Sequence, residues 1–208
     1  MKQFFLLYMI LMAVSNAILA TEKYQENIHY VQIKPAVTSV HKVGRVEVTE
    51  VFLFSCPHCF ALEPKLQKWL LKHPEVDFFR MPAILHPNWV EMAKFYYIAE
   101  KLGVLKTLSD KFYQSIHHHQ KHYYNELSIR RFFLENGVDG GQYESAYNSK
   151  DLAAKMNQAR RLSVQYQLKG VPVIIVNGKY KTAPFYVKNQ EEMLEVLTML
   201  VAREIDKF

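Results

Sequence analysis

The feature that most constrains the fold is a strand pattern that runs directly into a helix pattern within FLFSCPHCFALEP, residues 52–64. Residues Arg45–Ser55 alternate and then become continuously apolar, which predicts a central, buried strand. Apolar residues recur at helical intervals after Pro57, and proline suits the first turn of a helix because its missing N–H is not needed there. We therefore predict a strand-to-helix junction with Cys56 at the helix N-cap.

Cys56 and Cys59 are the only two cysteines among the 208 residues. They would close a loop too small to constrain the unfolded chain much, so a structural disulfide explains them poorly. Zinc sites usually need two such pairs, or one pair with spaced histidines. The dense tract HHHQKH, residues 117–122, is better explained as a solvated helix end or loop, because adjacent helical side chains point in different directions. We expect neither a metal nor a cofactor at the site.

Residues 1–20 have the pattern of a secretory signal peptide. Lys2 precedes an apolar stretch from Phe4 to Val14, and small residues follow it. This run is shorter than the about 20 apolar residues that comfortably span a bilayer, which disfavours the alternative of an uncleaved membrane anchor. Cleavage after Ala17 or Ala20 would leave a soluble protein in an oxidising compartment.

The charges are mixed along the chain. There are 26 basic and 20 acidic residues, for a net charge of +6, and they do not form a basic stripe with interleaved aromatic residues. This pattern disfavours a nucleic-acid partner and favours solubility.

The remaining patterns predict a second strand, a long helical region, a hairpin and a last helix. Asn177-Gly178 between apolar residues that favour strands is a strong hairpin signal. Gly103 and Gly137 are suited to end two of the helices. The predicted segments are an edge strand within residues 28–33, a strand at 76–85, helices between 89 and 161, the hairpin at 171–182 and a helix at 189–205.

Three of these features together resemble the thioredoxin fold. They are the C-x-x-C at a strand-to-helix junction, Pro64 five residues after Cys59, and Val171-Pro172 at the start of a later hairpin. The resemblance implies an α/β fold with a central mixed sheet flanked by helices. Pro64 lies inside the helix pattern, where a proline should produce a kink.

Further features narrow the resemblance to the DsbA family of periplasmic thiol:disulfide oxidoreductases. These are Pro57-His58 between the cysteines, the inserted helical region, and GVPVIIVNGKY at residues 170–180. The likeness runs from Tyr24 to Phe208. It implies a signal peptide at 1–20, a thioredoxin-like domain in two parts at 21–85 and 166–208, and an inserted helical domain at 86–165.

The residues themselves suggest how the thiols would react. Thiolates attack and leave in disulfide exchange, and the free N–H groups and dipole of a helix N-terminus stabilise negative charge on Cys56. His58 would stabilise the same thiolate, although it could also be a loop residue without an electronic role. A stabilised thiolate leaves easily, which makes the disulfide a strong oxidant. Such an oxidising character is a known property of the DsbA family and comes here with the resemblance. Cys56 is then the nucleophile, and Cys59 the less exposed resolving thiol.

The resemblance also implies roles for four other residues. Pro172 would be a cis proline facing Cys56, which exposes a backbone edge at Val171 for an extended substrate segment. Glu50 would lie beneath the disulfide and help to move protons, with Arg80 as its basic partner. Relatives often carry lysine at that position, and arginine does not release its proton, so a lysine-like proton role does not carry over to Arg80. Alternatively, Glu50 is the polar side of an alternating strand.

Three functions remain open from the sequence. The first is an enzyme that donates its disulfide to newly exported polypeptides and is reoxidised by a DsbB-type membrane oxidase, working as a monomer. The second is an isomerase or reductase, but isomerases of this fold carry a dimerisation domain, and residues 21–45 are too few to form one. The third is a peptide-binding holdase that uses the apolar surface around Phe60 and Pro172. An oxidised pair in cells would favour the first.

Overall fold

The computed structural model describes residues 23–38 and 44–207, so the predicted signal peptide lies outside the described residues. The strands are β1 (Val31–Gln32), β2 (Val46–Phe52), β3 (Val76–Pro82), β4 (Val173–Val176) and β5 (Tyr180–Thr182). The α-helices are α1 (Pro57–Leu70), α2 (Val90–Lys101), α3 (Leu105–His117), α4 (Glu126–Glu135), α5 (Gly140–Tyr147), α6 (Lys150–Gln165) and α7 (Gln190–Ile205). Short 3-10 helices span Pro87–Trp89 and Pro184–Tyr186. Over these described ranges, no helix has the length and apolar character needed to cross a membrane.

The strands form one mixed sheet in the order β1-β5-β4-β2-β3. Strand β2 is parallel to β3 and antiparallel to β4, so it is an interior strand as predicted, with β4 in the middle of the sheet. It ends at Phe52, earlier than predicted, and the backbone then turns, with the Cys56 N–H donating to the Leu53 carbonyl oxygen at 3.1 Å. The junction between strand and helix is therefore a tight turn that presents Cys56 at the end of the central strand.

Helices α2 to α6 lie in the chain between β3 and β4, and their core is rich in aromatic side chains. Phe95 and Phe112 stack with ring centroids 3.7 Å apart. Phe54, from the turn before Cys56, meets these rings edge-on, 5.2 Å from Phe95 and 5.0 Å from Phe112. Aromatic pairs of this kind contribute about 0.5–1.5 kcal/mol each beyond burial. The helical region thus anchors the turn that carries the nucleophile, while the domain boundaries given above remain a prediction.

The predicted hairpin joins β4 and β5. Asn177 and Gly178 both have a positive φ, of 48° and 62°. A Cβ on Gly178 would lie 2.1 Å from the Val37 carbonyl oxygen, so this turn position requires glycine. The Asn177 side chain accepts from the Glu47 N–H at 2.8 Å and ties the hairpin to the central strand. This packing holds the start of β4, where Val171-Pro172 lies, beside the end of β2.

Local signals predicted some of the other boundaries, but β3 ends at Pro82 and not at residue 85, and α6 continues to Gln165, past the predicted end at 161. Helices α2 and α4 end two residues before Gly103 and Gly137, as expected. Helix α1 continues past Pro64 as far as Leu70. The edge strand predicted within residues 28–33 is present but short, because only Val31 and Gln32 pair with β5.

Candidate active site

Cys56 occupies the N-cap of α1, as the sequence predicted. Its backbone is extended, with φ −83° and ψ 117°, and Pro57 follows in the first turn. Both cysteines are free thiols in this structure. Cys56 is half-buried, whereas Cys59, one turn into the helix, is completely buried. An incoming molecule can therefore reach Cys56 far more easily than Cys59.

The surroundings of Cys56 lower the pKa of its thiol from 9.0 to about 6. The largest cause is the hydrogen bond with the Cys59 thiol, and burial acts in the opposite direction. The backbone N–H groups of Cys59 and His58 also stabilise the thiolate, and the charge of His58 contributes less than either. At neutral pH the pair therefore consists mainly of a Cys56 thiolate beside a Cys59 thiol.

Cys59 is held in the opposite state. Burial is the main cause of a strongly raised pKa, and the hydrogen bond and charge of Cys56 raise the pKa further. The charge of Glu50 acts in the same direction. Cys59 consequently keeps its proton throughout the physiological pH range.

Val171 and Pro172 lie next to the nucleophile, and their peptide bond is cis. The Cys56 Sγ is 3.6 Å from the Val171 carbonyl oxygen. A groove of about 450 Å³ adjoins this contact. It is lined by His58, Lys169, Gly170, Val171, Pro184 and Phe185. Phe185, which the sequence analysis did not single out, is 60% exposed there. An apolar ring beside an open backbone edge is suited to an extended peptide.

The side chain of Glu50, a residue of strand β2, is completely buried. Its Oε2 accepts a hydrogen bond from Arg80 Nε at 2.7 Å, and these residues are directly opposite each other in the parallel pairing of β2 and β3. The alternative that Glu50 is an exposed polar residue is therefore wrong. Burial raises its pKa from 4.5 to about 7, with Arg80 opposing the shift and Glu63 adding to it. Glu50 can thus bind and release a proton near neutral pH.

Arg80 joins Glu50 to two residues that sequence reasoning missed. Its Nη2 is 2.6 Å from Glu63 Oε2 and 3.1 Å from the Tyr113 hydroxyl oxygen. Glu63 is four residues after Cys59 on α1, so the helical spacing could have indicated it. Tyr113 lies on α3, and no sequence pattern connects it to the site. Two carboxylates share one guanidinium here, which leaves an excess negative charge and favours a proton on Glu50.

The histidine tract behaves as predicted except at its first residue. His118 and His119 are exposed beyond the end of α3. His117 is half-buried instead, and its ring stacks on that of Phe60 in α1. Within residues 23–38 and 44–207, no three His, Cys, Asp or Glu side chains are arranged so that they could hold a metal ion.

Comparison with known proteins gives a consistent result. Residues 75–197 match the family model of the DSBA-like thioredoxin domain, a segment that contains Pro172 but begins after Cys59. The chain is 32% identical over 184 residues to the thiol:disulfide interchange protein DsbA of Pseudomonas aeruginosa, covering 88% of this chain and 87% of the relative. It is also 32% identical over 165 residues to that of Burkholderia cepacia, covering 79% and 78%.

Solved structures are similar along the same length. The crystal structure of Pseudomonas aeruginosa DsbA superposes with a TM-score of 0.81 at 31% identity, covering 88% of this chain and 96% of that one. The oxidoreductase DsbA from Xylella fastidiosa gives a TM-score of 0.76 at 27% identity, covering 85% and 95%. The similarity in structure therefore extends over more of the chain than the segment that the family model matches.

Proposed function

This chain belongs to the DSBA-like thioredoxin domain family and is a thiol:disulfide oxidoreductase, and on that premise we propose that it donates its Cys56–Cys59 disulfide to newly exported proteins in the periplasm. The observation that carries the proposal is the lowered pKa of Cys56, about 6, at the N-cap of α1. A thiolate that is stable at neutral pH is a good leaving group, so a disulfide that contains it is easily transferred.

The first step is attack by a substrate thiolate on the Cys56 Sγ of the oxidised protein. The disulfide between the two cysteines breaks, a mixed disulfide forms, and Cys59 leaves with the electron pair. The raised pKa of Cys59 means that its thiolate takes up a proton. We assign the supply of that proton to Glu50, whose own pKa is about 7 and whose charge acts on Cys59. Arg80 stays charged and holds the Glu50 carboxyl in place.

The second step releases the product. A second substrate thiolate attacks the substrate sulfur of the mixed disulfide, and Cys56 departs as the thiolate that its surroundings stabilise. Two substrate thiols thereby lose two electrons and two protons, and the protein gains the dithiol. Reoxidation requires an acceptor, for which we propose a DsbB-type membrane oxidase.

The substrate is held, in this proposal, by the groove next to Val171. The half-buried Val171 and the exposed Phe185 offer a backbone edge and an apolar surface within reach of Cys56. An extended, unfolded segment fits such a groove better than a folded surface, because its backbone groups are free to pair. This preference suits a donor that acts on polypeptides before they fold.

The test is a transfer assay with the oxidised protein and a reduced, unfolded protein that contains two cysteines. We expect the substrate disulfide to form with equal consumption of the Cys56–Cys59 disulfide, and Cys56→Ser to abolish it. In cells, trapping the thiols with acid and alkylating them should show mainly the oxidised pair. A mainly reduced pair would favour the isomerase or reductase. Substrate binding that survives loss of both thiols without any transfer would favour the holdase.

A further inference from the structure

His117 contacts the active-site turn although it is distant from it in the sequence. It is the last residue of α3, and its Nε2 lies 2.7 Å from the Phe54 carbonyl oxygen, 63 residues away in the chain. Its ring is parallel to that of Phe60, at an angle of 3° and with centroids 4.5 Å apart. One imidazole therefore makes a hydrogen bond and a face-to-face stack at the same time.

The two contacts lie on either side of the thiols. Phe54 is two residues before Cys56, and Phe60 follows Cys59 directly. A carbonyl oxygen can only accept, so Nε2 of His117 must carry the proton and donate it to this bond. His117 thus attaches both the turn before the nucleophile and the first turn of α1 to the end of α3.

The geometry between those two segments matters for the reaction. The backbone N–H groups of His58 and Cys59 stabilise the Cys56 sulfur. Such bonds weaken steeply when distance or angle departs from its optimum. Cys56 belongs to both segments, because its N–H donates to the Leu53 carbonyl oxygen of the turn at 3.1 Å and its own carbonyl oxygen accepts from the Phe60 N–H of α1 at 3.1 Å. A side chain that holds turn and helix together therefore controls how well donors and sulfur are aligned.

We propose that His117 is a positioning residue for disulfide exchange, because it holds the turn that carries Cys56 against the first turn of α1. The inference rests on the proposed role of Cys56 as the nucleophile. Of the two contacts of His117, we expect the hydrogen bond to the Phe54 carbonyl oxygen to contribute more to this positioning than the stack on Phe60, because the hydrogen bond is directional and the stack is not. The inserted helices would thereby influence the reactivity of the thiols.

The experiment compares His117→Phe, which keeps a ring on Phe60 but has no donor, with His117→Gln, whose amide nitrogen can replace Nε2. The matched control is His118→Phe, because His118 is the adjacent exposed residue and only meets the edge of Phe60. For each protein, thiolate absorbance is titrated against pH and the dithiol is equilibrated with glutathione. We expect His117→Phe to raise the Cys56 pKa and to shift the equilibrium towards the disulfide by about threefold or more, equal to about 14 mV. His117→Gln should recover most of this shift, and His118→Phe should behave as wild type.

Unchanged pKa and equilibrium in a folded His117→Phe, even with lower thermal stability, would leave His117 a packing residue and overturn the inference. If His117→Phe does not fold, the hydrogen bond of His117 can be tested directly in the wild-type protein. NMR of the imidazole nitrogens should show a proton on Nε2 and a hydrogen-bond coupling to the Phe54 carbonyl, and a proton on Nδ1 alone would refute the contact. Alkylation mapping of the same samples separates the two proposals, because labelling of Cys59 instead of Cys56 would contradict the proposed function itself.

Discussion

Glu50→Gln offers a quantitative test of the buried carboxyl beneath the active site. Burial raises the pKa of Glu50 from 4.5 to about 7. Because the folded pKa is the higher one, the protonated carboxyl contributes stability that is fully present below about pH 4.5 and is lost as the pH rises through about 7. A shift of this size, at about 1.4 kcal/mol per pKa unit, corresponds to about 3 kcal/mol. Glutamine is neutral at every pH, so the variant does not lose this stability as the pH rises.

The assay is urea unfolding of the reduced wild type and the reduced variant at a series of pH values between about 4 and about 8. Subtracting the two free energies of unfolding cancels the titration of the groups that both proteins share. We expect the free energy of the variant, relative to wild type, to increase by about 3 kcal/mol across this range. The increase should be centred between the two pKa values of Glu50.

Glu135→Gln is the matched control, since Glu135 is an exposed carboxylate at the end of α4. Its stability difference from wild type should stay within about 0.5 kcal/mol at every pH. An increase for Glu50→Gln below about 1 kcal/mol, or a decrease, would refute the reasoning that burial dominates over the ion pair with Arg80. Glu50 would then be ionised at neutral pH and could not supply a proton to Cys59.

Four further predictions concern the thiols and the groove. Alkylation of the reduced protein at neutral pH should label Cys56 first, and Cys59→Ala should accumulate mixed disulfides through Cys56, as mass mapping would show; preferential labelling of Cys59 would reverse the assignment. Cys59→Ala should raise the Cys56 pKa above about 6 by more than His58→Leu does, because the Cys59 thiol is the largest stabilising cause and the charge of His58 a small one, and thiolate titration of both variants would detect the opposite order. His58→Leu should also lower the reduction potential, on a scale of about 30 mV for each tenfold change in the equilibrium constant, and a fixed potential would make His58 a bystander. Phe185→Ala should raise the KM for an unfolded substrate while the glutathione equilibrium stays constant, and an unchanged KM would argue against the groove as the substrate site.

Local rules made much of this molecule predictable. The change from the strand pattern to the helix pattern at Cys56 predicted the strand-to-helix junction. Pro57 in the first turn of the helix identified Cys56 as the N-cap residue. Asn177-Gly178 predicted the hairpin that carries Pro172, because those residue types tolerate the positive φ values the turn requires. These features depend on residues a few positions apart, whose backbone preferences and hydrogen bonds are set before any long-range packing.

The sequence could not decide which residues meet across the fold. Glu50 alternates with apolar neighbours on β2, a pattern that fits an exposed residue equally well, and it is buried because the sheet is covered on the face to which Glu50 points. Arg80 was indicated as its partner by the resemblance, but its bond to Tyr113 depends on how α3 packs against β3. His117 looked like one more residue of a polar tract, and only the packing of α3 against α1 turns its ring onto Phe60. Contacts between residues 30 to 63 positions apart produce no repeating pattern in the sequence, because they depend on the angles and distances at which complete helices and strands pack.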